Sequence, residues 1–382
     1  MRVLFVTHTQ KMGGANHSMV RLISELKTNY NIDVVVIVPV QKGHKDVEHQ
    51  LAALNVKFIR QRYSWFKMYK SNYRIKAAIN YFLDRCFYRY NVKKIKGLDF
   101  DIVHSNSSVI DYGLYIAKKF NKRHVWHLRE YGDLDFDLIP ILGIKHETKN
   151  YQSCENYFVA ISNSIANHFK DKIADRPVIT IYNGVVIPAP SLIAKHNNDN
   201  VLFCCLANLS FAKNQMEIFK AINYLVNVQK VHNFHVSFYG RENDRYKKEL
   251  TSYSLQHNLN DYISLKGEIS NVHEVLSQMD VGLISSRCEA FGRITVEYMM
   301  QELAVIASSS GANQEIIDDK KTGLIYKTGD EKELAKKMQF LIENKNDMLK
   351  VAQAGRKKAE AFFSSENNSH NIFLLYKDIL NS

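Results

Sequence analysis

Short apolar runs alternate with longer amphipathic stretches along most of the chain. The run RVLFVTH is followed by a glycine loop and an amphipathic stretch, GGANHSMVRLISELKTN, and then by a second run, DVVVIVP. Four further runs, DIVHSNS, HVWHLRE, NYFVAIS and VITIYNG, each end in polar or small residues. Strands that alternate with helices in this way are typical of a parallel sheet. The pattern therefore predicts an α/β fold with polar groups at the carboxyl ends of the strands, where ligands bind in such sheets.

The same alternation begins again near residue 200. Residues 187–200, IPAPSLIAKHNNDN, combine two prolines with a polar run that has no periodicity, which indicates a linker. Beyond it come the strand-like runs VLFCCLANLS, FHVSFYG, YISLKGEI and VGLISS, with helical patterns between them. A chain of 382 residues also exceeds the size at which one hydrophobic core usually keeps growing. We therefore predict two Rossmann-like domains, residues 1–187 and 200–365, joined by a linker at 188–199.

The composition is that of an ordinary globular protein, with 46% apolar and 24% charged residues. No apolar run approaches the roughly 18–20 residues that a membrane-spanning helix needs. The amino-terminal apolar run is short and is not followed by a small-residue cleavage site, so we expect no signal peptide. The five cysteines show no metal-binding spacing and fit a reducing compartment. A cytoplasmic protein is the expectation.

The formal charge of +12 is concentrated in one segment of the chain. Residues 60–96 contain eleven Lys and Arg residues and a single aspartate, with ten aromatic residues interleaved. This mixture predicts contact with an anionic membrane, with aromatic groups in the interface and cations over the head groups, so the protein would lie peripherally on the inner face of the cell membrane. The alternatives are a pair of helices with a solvated basic face, or a nucleic-acid surface. No nucleic-acid motif accompanies the segment, so we expect no nucleic-acid partner.

Residues 285–299, SSRCEAFGRITVEYM, combine two glutamates with a Phe-Gly pair. The preceding strand-like run should end just before this loop, and a helical pattern begins at about Arg293. Glu289 then lies at the carboxyl end of a strand and Glu297 lies in the helix, while Gly292 allows backbone amides to approach a ligand. Carboxylates suit a ligand rich in hydroxyl groups, and the N–H groups of a helix start suit phosphate. The stretch therefore predicts a sugar-nucleotide site.

The stretch that begins here and continues through AVIASSSGANQEIIDDKKTGLIYKTGD resembles the donor-binding signature of glycosyltransferase family 4. Members of that family are retaining enzymes of the GT-B fold. The resemblance implies that Glu289 contacts the donor sugar ring and takes part in catalysis. It implies that the backbone amides at Phe291 and Gly292 hold the sugar hydroxyls, and that Glu297 binds the ribose.

The resemblance also implies an architecture, in which two Rossmann-like parallel-sheet domains face each other across a cleft. The domain at 1–187 would bind the acceptor, and the domain at 200–365 would bind the nucleotide sugar. The last segment, 366–382, would be a helix that returns to the amino-terminal domain. 

Two further stretches of the first domain resemble family landmarks. In THTQKMGGANHSMVRLISEL, Gly13 and Gly14 would bring backbone N–H groups to the donor diphosphate, an approach that a side chain would obstruct. In HVWHLRE, the resemblance places His127 beside the reacting sugar. His124 is the alternative, but we expect it before the strand and at the surface. Ser162 and the Asn183-Gly184 pair match landmarks that we interpret as structural.

The stretch CLANLSFAKNQMEIFKAI resembles the phosphate-binding part of the family pattern. Lys213 matches the lysine that neutralises the departing diphosphate, a role that requires a positive charge. Asn208 stands where the family commonly has an arginine, so one of two usual cations is missing. Either Asn208 donates a neutral hydrogen bond to the phosphate, or Arg241 supplies the second charge.

The implied reaction moves a sugar from a nucleotide diphosphate sugar, with a UDP-sugar favoured, to a glycan or a polyisoprenoid-linked acceptor. Retention at the anomeric carbon and a role in cell-surface polysaccharide or glycoconjugate synthesis follow from the same resemblance. No cofactor is implied. A sugar-nucleotide epimerase of the same fold and a basic binding module without turnover are the alternatives.

Two D-x-D patterns resemble the metal-binding motif of the other glycosyltransferase fold. Asp99 and Asp101 precede a strand, which is the wrong end for a ligand of the sheet. The second pattern, at 133–137, lies in the loop after HVWHLRE and is closer to an acceptor position. We predict no metal site and activity without added metal.

Overall fold

The computed structural model describes residues 1–70, 74–153, 155–173, 176–188 and 200–382. Its contacts group the chain into two compact units, with Met1–Gly184 and Ser365–Ser382 in unit 1 and Val185–Ser364 in unit 2. The ends of the two units at Gly184 and Ser364 lie close to the predicted domain ends at 187 and 365, whereas unit 2 begins at Val185 and not at the predicted residue 200. Most of the linker predicted at 188–199 falls outside the described residues.

The strands of unit 1 are short and mostly rich in β-branched and aromatic residues, as strand formation favours. In its described part they are β1 (Arg2–Val6), β2 (Asp33–Pro39), β3 (Lys57–Gln61), β4 (Lys67–Tyr69), β5 (Ile102–Ser105), β6 (Arg123–Leu128), β7 (Leu138–Pro140), β8 (Asn156–Ala160) and β9 (Val178–Thr180). All but β4 and β7 form one parallel sheet in the order β3-β2-β1-β5-β6-β8-β9, and β4 and β7 pair antiparallel. Val3 and Phe5 enter one apolar cluster and Leu4 and Val6 enter another, so both faces of the sheet are covered.

Helices cover these two faces. Those before residue 184 are α1 (Gly14–Tyr30), α2 (Asp46–Ala53), α3 (Arg74–Lys94), α4 (Tyr112–Phe120), α5 (Asp133–Phe136), α6 (Ile144–Tyr151) and α7 (Asn163–Ile173). α1 and α4 each end where an asparagine, Asn31 or Asn121, adopts a left-handed φ of 51° or 52°. A left-handed residue at this point is a common helix stop, and asparagine tolerates it well.

Unit 2 repeats the alternation of strands and helices. Its strands are β10 (Val201–Leu206), β11 (Phe234–Tyr239), β12 (Ile263–Gly267), β13 (Val281–Ile284), β14 (Ala304–Ser308) and β15 (Leu324–Tyr326), all parallel, in the order β12-β11-β10-β13-β14-β15. Its helices are α8 (Gln215–Asn223), α9 (Asp244–Gln256), α10 (Val272–Leu276), α11 (Arg293–Met300), α12 (Asn313–Ile316), α13 (Glu331–Glu343) and α14 (Lys345–Phe363), with a π-helical turn at Tyr224–Gln229 and a 3-10 turn at Asn260–Tyr262.

Close packing holds α11 on the sheet of unit 2. A Cβ at Gly282 would lie 2.1 Å from a ring carbon of Tyr298, so the helix can approach β13 only because this strand residue has no side chain. The backbone N–H of Leu206 donates to the Tyr298 hydroxyl at 2.7 Å. The helix that carries Glu297 is therefore fixed to β13 at Gly282 and to the carboxyl end of β10.

The last helix, α15 (Ser365–Asn381), belongs to unit 1. Ile372, Leu375 and Ile379 join the apolar cluster that also contains residues of α1 and β1. Tyr376 is fully buried and reaches the side chain of His104 in β5. The carboxyl-terminal segment thus completes the core of unit 1, although the sequence separates it from that unit by about 180 residues.

The basic segment at 60–96 does not form a pair of helices. Its described part contains the end of β3, the short strand β4 and the single long helix α3, and residues 71–73 lie outside that part. The Tyr81 hydroxyl donates to the Asp111 carboxylate at 2.8 Å, and Arg85 donates to the same carboxylate at 2.9 Å. These bonds anchor α3 on unit 1. Among the described residues, no helix combines the length and the apolar character that spanning a bilayer requires.

Candidate functional site

Two loops meet at the carboxyl edge of the sheet in unit 2. They follow the neighbouring strands β10 and β13, which pair in parallel. The Ser285 hydroxyl donates to the backbone carbonyl of Lys213 at 2.8 Å, and the N–H of Arg287 donates to the carbonyl of Ala212 at 2.9 Å. The loop that carries Lys213 is therefore tied to the loop that carries Glu289.

Lys213 and Glu289 form an ion pair at the end of these loops. The distance from Nζ to Oε2 is 2.9 Å, and the two side chains are 37% and 18% exposed. Burial disfavours the ammonium form of Lys213, but the Glu289 carboxylate outweighs burial and raises the pKa of Lys213. Lys213 therefore carries its charge at neutral pH. The structure brings together two of the three residues for which the sequence predicts a catalytic role.

The backbone of Glu289 contacts Gly311 and Ala312 in the loop that follows β14. The N–H of Ala312 donates to the Glu289 carbonyl at 2.9 Å. Gly311 has a φ of +53°, and a Cβ there would lie 2.0 Å from that carbonyl oxygen. Both the backbone conformation and the close approach require glycine at position 311. Ser308 and Ser310 add hydroxyl donors to the carbonyl of Ser286 at 2.8 and 2.6 Å.

Gly292 caps the start of α11 with a left-handed φ of +79°. A Cβ at this position would lie 3.0 Å from Oδ1 of Asn313 and 3.0 Å from Oγ1 of Thr295. Sequence reasoning explained this glycine by the approach of a ligand, but the turn itself already requires it. The Phe291 side chain is buried and packs edge-on against Phe363, at 6.1 Å between ring centroids. Phe291 can therefore contact a sugar through its backbone but not through its ring.

Glu297 lies one turn into α11, where Arg293 Nε donates to its Oε1 at 2.8 Å. The side chain of Arg293 is 34% exposed and that of Glu297 is 21% exposed. Nη1 of Arg293 is covered and has no hydrogen-bond partner among the described residues. Arg293 was not predicted as a site residue, although its place at the start of the helix beside a predicted ribose ligand was visible in the motif.

Asn208 and Arg241 lie next to each other at the same edge. The N–H of Arg241 donates to Oδ1 of Asn208 at 3.1 Å, which leaves the amide NH₂ of Asn208 as its donor to a further group. The guanidinium of Arg241 lies 3.6 Å from Glu268, and both side chains are mostly exposed. Asn208 and Arg241, the two groups considered for the second phosphate contact, are therefore adjacent. Both stay predicted phosphate ligands.

In unit 1, Gly13 precedes α1 and Gly14 is its first residue. The backbone of Gly13 is extended, with φ −130° and ψ 178°, a conformation that any residue can adopt. A Cβ at either glycine would meet no protein atom within 4 Å. Neither the backbone conformation at Gly13 nor internal packing at either position requires glycine.

His127 lies in β6 and is fully buried. Its Nδ1 is 3.1 Å from Nε2 of His104 and 3.3 Å from Nη2 of Arg129. Its Nε2 is also buried and has no hydrogen-bond partner among the described residues. Burial, followed by the charges of Arg129 and His104, holds the pKa of His127 well below its usual value, so the ring is neutral. The predicted role beside the sugar stays a prediction.

The expectation that His124 lies before the strand and at the surface is wrong. His124 is the second residue of β6 and is fully buried, because both faces of this central strand are covered. Its Nε2 pairs with the Ser105 hydroxyl at 2.8 Å and its Nδ1 with Oδ1 of Asn156 at 2.6 Å. Burial lowers the pKa of His124 to about 4. Both ring nitrogens are bonded within the protein, so this histidine is structural.

Sequence reasoning missed Arg129 and Glu130, which directly follow β6. Arg129 donates to Oδ1 of Asn106 and to Oδ1 of Asn183, each at 2.6 Å, so it connects the loops after β5 and β9. Glu130 Oε1 accepts from the N–H of Ser108 at 2.6 Å. Both are buried. Their position could have identified them, because a charged pair directly after a predicted strand lies at the edge of the sheet where ligands bind.

Three carboxylates of the two D-x-D patterns, those of Asp101, Asp133 and Asp135, contact protein groups. Asp133 lies 2.8 Å from Nε2 of His168, and Asp135 accepts from the N–H groups of Tyr131 and Gly132. Burial and the charge of Glu130 raise the pKa of Asp135 to about 6. Asp101 accepts from the backbone N–H of Arg2 at 2.8 Å. The described residues contain no group of three or more His, Cys, Asp or Glu arranged to hold a metal, and metal independence stays a prediction.

Comparison with known proteins relates both halves of the chain to glycosyltransferases. Residues 12–187 match the family model described as Glycosyltransferase Family 4, and residues 192–358 match the model described as Glycosyl transferases group 1. EpsD of Bacillus subtilis (strain 168), which is named as a glycosyltransferase, is 27% identical over 185 residues, or 47% of each chain. The capsular polysaccharide biosynthesis glycosyltransferase CapM of Staphylococcus aureus is 27% identical over 107 residues, or 28% of each chain. The match thus spans less than half of either relative.

The fold is similar to that of a solved structure, Anabaena Alr3699/HepE in complex with UDP. The similarity covers 99% of this chain and 100% of that chain, with a TM-score of 0.78 and 17% sequence identity. That structure has the arrangement of strands and helices found in both units here. The two family models and the two parallel-sheet units together show that this chain belongs to glycosyltransferase family 4 and has the GT-B fold.

Proposed function

We propose that the protein is a retaining glycosyltransferase that moves a sugar from a UDP-sugar to a glycan or a polyisoprenoid-linked acceptor. The observation that carries this proposal is the Lys213–Glu289 ion pair at the carboxyl edge of the sheet in unit 2. The names of its relatives support a place in cell-surface polysaccharide or glycoconjugate synthesis, because CapM is named for capsular polysaccharide biosynthesis. The UDP in the HepE structure supports a UDP-linked donor.

In the proposed mechanism, the donor diphosphate replaces Glu289 as the partner of Lys213. Glu289 then accepts hydrogen bonds from hydroxyls of the donor sugar, and the backbone N–H groups around Gly292 donate to the same sugar. The anomeric C–O bond to the diphosphate breaks, and the acceptor oxygen bonds to the same face of that carbon. The acceptor proton passes to the departing phosphate oxygen. The protein contributes charge stabilisation for the leaving group, which is effective because its donors are already in place.

A thermal-shift screen tests the donor class. We expect UDP and at least one UDP-sugar to raise the melting temperature more than GDP does, because a ligand that binds only the folded state stabilises it. Incubation of that UDP-sugar alone, without acceptor, separates a transferase from an epimerase, since an epimerase would yield an isomerised donor. Binding without any transfer or hydrolysis, unchanged by Glu289→Ala, would favour the binding module.

The glycine loop of unit 1 provides a test that is independent of folding. We expect Gly13→Ala to leave the melting temperature unchanged, because no protein atom lies within 4 Å of the added Cβ. If the loop holds the donor diphosphate, the methyl group displaces it and lowers kcat/KM for the donor by about 10- to 100-fold. Gly97→Ala is the control, since a Cβ there also meets no atom within 4 Å. Equal kinetics for the two variants would remove Gly13 from the site.

We also propose that α3 holds the protein on the inner face of the cell membrane, at the cytoplasmic side. One face of α3 carries five large apolar side chains that are each 49–78% exposed: Ile75, Ile79, Phe82, Leu83 and Tyr90. Their spacing of about three, four or seven residues places them on the same side of the helix. Lysine and arginine residues of the same helix flank them. An exposed apolar strip with flanking cations fits an anionic lipid surface. A polyisoprenoid-linked acceptor would lie in the same membrane.

Vesicle flotation tests this surface. We expect the protein to float with vesicles of phosphatidylcholine and phosphatidylglycerol, to bind phosphatidylcholine alone less, and to be released by added salt. Phe82→Ser should lower the partition coefficient about tenfold, because one exposed aromatic side chain no longer enters the interface. Phe362→Ser on α14 is the matched control, with 61% of that side chain exposed. Equal binding to neutral and anionic vesicles would contradict the proposal.

A further inference from the structure

A chain of buried hydrogen bonds connects the carboxyl-terminal helix to β6. The Tyr376 hydroxyl lies 2.6 Å from Nδ1 of His104, and Nε2 of His104 lies 3.1 Å from Nδ1 of His127. Tyr376, His104 and His127 are all fully buried. Phe5 stacks on the His104 ring at 4.5 Å between centroids, which limits the rotation of that ring. We call Tyr376, His104 and His127 the relay; its geometry is fixed by this stacking and by burial.

The donor at the His127 end of the relay, Arg129, determines which ring nitrogens of His127 and His104 carry protons. Arg129 is always a donor, and its Nη2 is 3.3 Å from Nδ1 of His127, so this nitrogen must accept. His104 then donates through Nε2–H, and its Nδ1 accepts from the Tyr376 hydroxyl. A neutral histidine carries one ring proton, so the proton of His127 lies on Nε2. Its buried Nε2–H has no acceptor among the described residues.

Other buried polar atoms without a partner lie at the same edge of the sheet. Among the described residues of unit 1, they include Nδ1 of His8 after β1 and Oγ of Ser108 after β5, and β1, β5 and β6 are consecutive strands. Glu130 lies among them, since it accepts from the N–H of Ser108 and its charge acts on His8. Buried polar groups are nearly always satisfied in proteins, so a cluster of exceptions marks a place where a polar ligand or an ordered water completes the hydrogen bonds.

The family resemblance places His127 beside the reacting sugar. We infer that Tyr376, through His104, fixes the tautomer and orientation of His127, so that Nε2–H is the donor this ring offers to a sugar hydroxyl. This inference rests on the proposed function and deepens it. His127 then orients a substrate and does not remove a proton, because its Nδ1 already accepts from two donors and its Nε2 is protonated. Tyr376 and His104 are positioning residues, and α15 is part of the site although it contributes no group that touches substrate.

Nitrogen-15 NMR of histidine-labelled protein tests the tautomer directly. We expect the His127 ring to show a protonated Nε2 and an unprotonated Nδ1 in the wild type. That Nε2 resonance should move more with UDP-glucose or UDP-N-acetylglucosamine than with UDP. A proton on Nδ1 would overturn the inference. Equal shifts with UDP and with the UDP-sugars would also overturn it, and would assign the Nε2–H to a buried water.

Kinetics of Tyr376→Phe test the positioning role. We expect kcat to fall about three- to tenfold, as the loss of one hydrogen bond implies, with little change in the KM for donor. Tyr30→Phe is the matched control, because its hydroxyl also bonds a histidine of α15, His370, at 3.2 Å but lies outside the relay. Equal kinetics for both variants would overturn the role of Tyr376.

Substitution of His127 itself separates donation from mere packing. Glutamine can place an amide N–H near the position of Nε2, whereas leucine cannot. We therefore expect His127→Gln to retain about tenfold more activity than His127→Leu, with melting temperatures that differ little. Equal activity would contradict the donor role. If UDP does not bind the wild-type protein at all, the proposed function fails instead, whatever the tautomer of His127.

Discussion

Lys213→Met is expected to lower kcat/KM by about 10²- to 10³-fold without unfolding the protein. Removal of one preorganised donor from a developing negative charge typically costs that much, and Lys213 is a charged donor at the carboxyl edge of the sheet. The Glu289 carboxylate raises the pKa of Lys213, so the charge is present throughout the neutral range. Loss of the partly exposed pair itself should change stability little.

Steady-state kinetics and thermal unfolding of the same preparations check this prediction. Lys220→Met is the control, since Lys220 is an exposed lysine of α8 only seven residues further along the chain. Lys213→Arg should recover part of the lost activity, because it keeps a charge with a different shape. Activity of Lys213→Met within about threefold of the wild type would remove Lys213 from the catalytic residues.

Gly311→Ala is expected to displace Glu289 and to destabilise unit 2 by about 2–5 kcal/mol. The left-handed backbone costs a non-glycine residue about 1–2 kcal/mol. Overpacking typically adds about 1–3 kcal/mol, and here the new Cβ would lie 2.0 Å from the Glu289 carbonyl oxygen. Because that carbonyl belongs to a proposed catalytic residue, activity should fall further than the unfolded fraction explains.

Denaturant unfolding together with kcat at a temperature where the variant is folded provides the measurement. Gly329→Ala separates the two costs, since Gly329 has a φ of +89° but a Cβ there meets no atom within 4 Å. We expect Gly329→Ala to show the backbone cost alone and to keep normal kcat. Equal activity losses in the two variants would mean that the position of Glu289 does not depend on the contact with Gly311.

The local motif of unit 2 could be predicted because all of its parts are close in the chain or repeat a family pattern. Glu289, Gly292 and Glu297 lie within one loop and the helix that follows, and their placement needs only a strand end and a helix start. Lys213 was identified by the same family pattern, and the structure then showed it bonded to Glu289. The Phe291 ring was less predictable, because its burial depends on α14.

In unit 1 the sequence was a poorer guide. His124 and His127 belong to one strand and looked alike apart from their positions, yet one has both ring nitrogens bonded and the other does not. That difference depends on Ser105, Asn156 and Arg129, which no motif connects. The pair of helices considered as an alternative for the basic segment did not form, since a short strand precedes a single helix there. Aromatic and basic residues fit both a strand and a helix, so their pattern did not separate the two.

The sequence by itself determined the α/β class, the two sheets and the residue types at the edge of unit 2, because hydrophobic periodicity and short motifs are local properties. Only the tertiary structure decided which histidine has an unbonded nitrogen, why position 311 must be glycine, and that Tyr376 reaches His104 from 272 residues away. Hydrogen-bond partners and close backbone contacts are set where distant segments meet, and spacing along the chain does not contain that information.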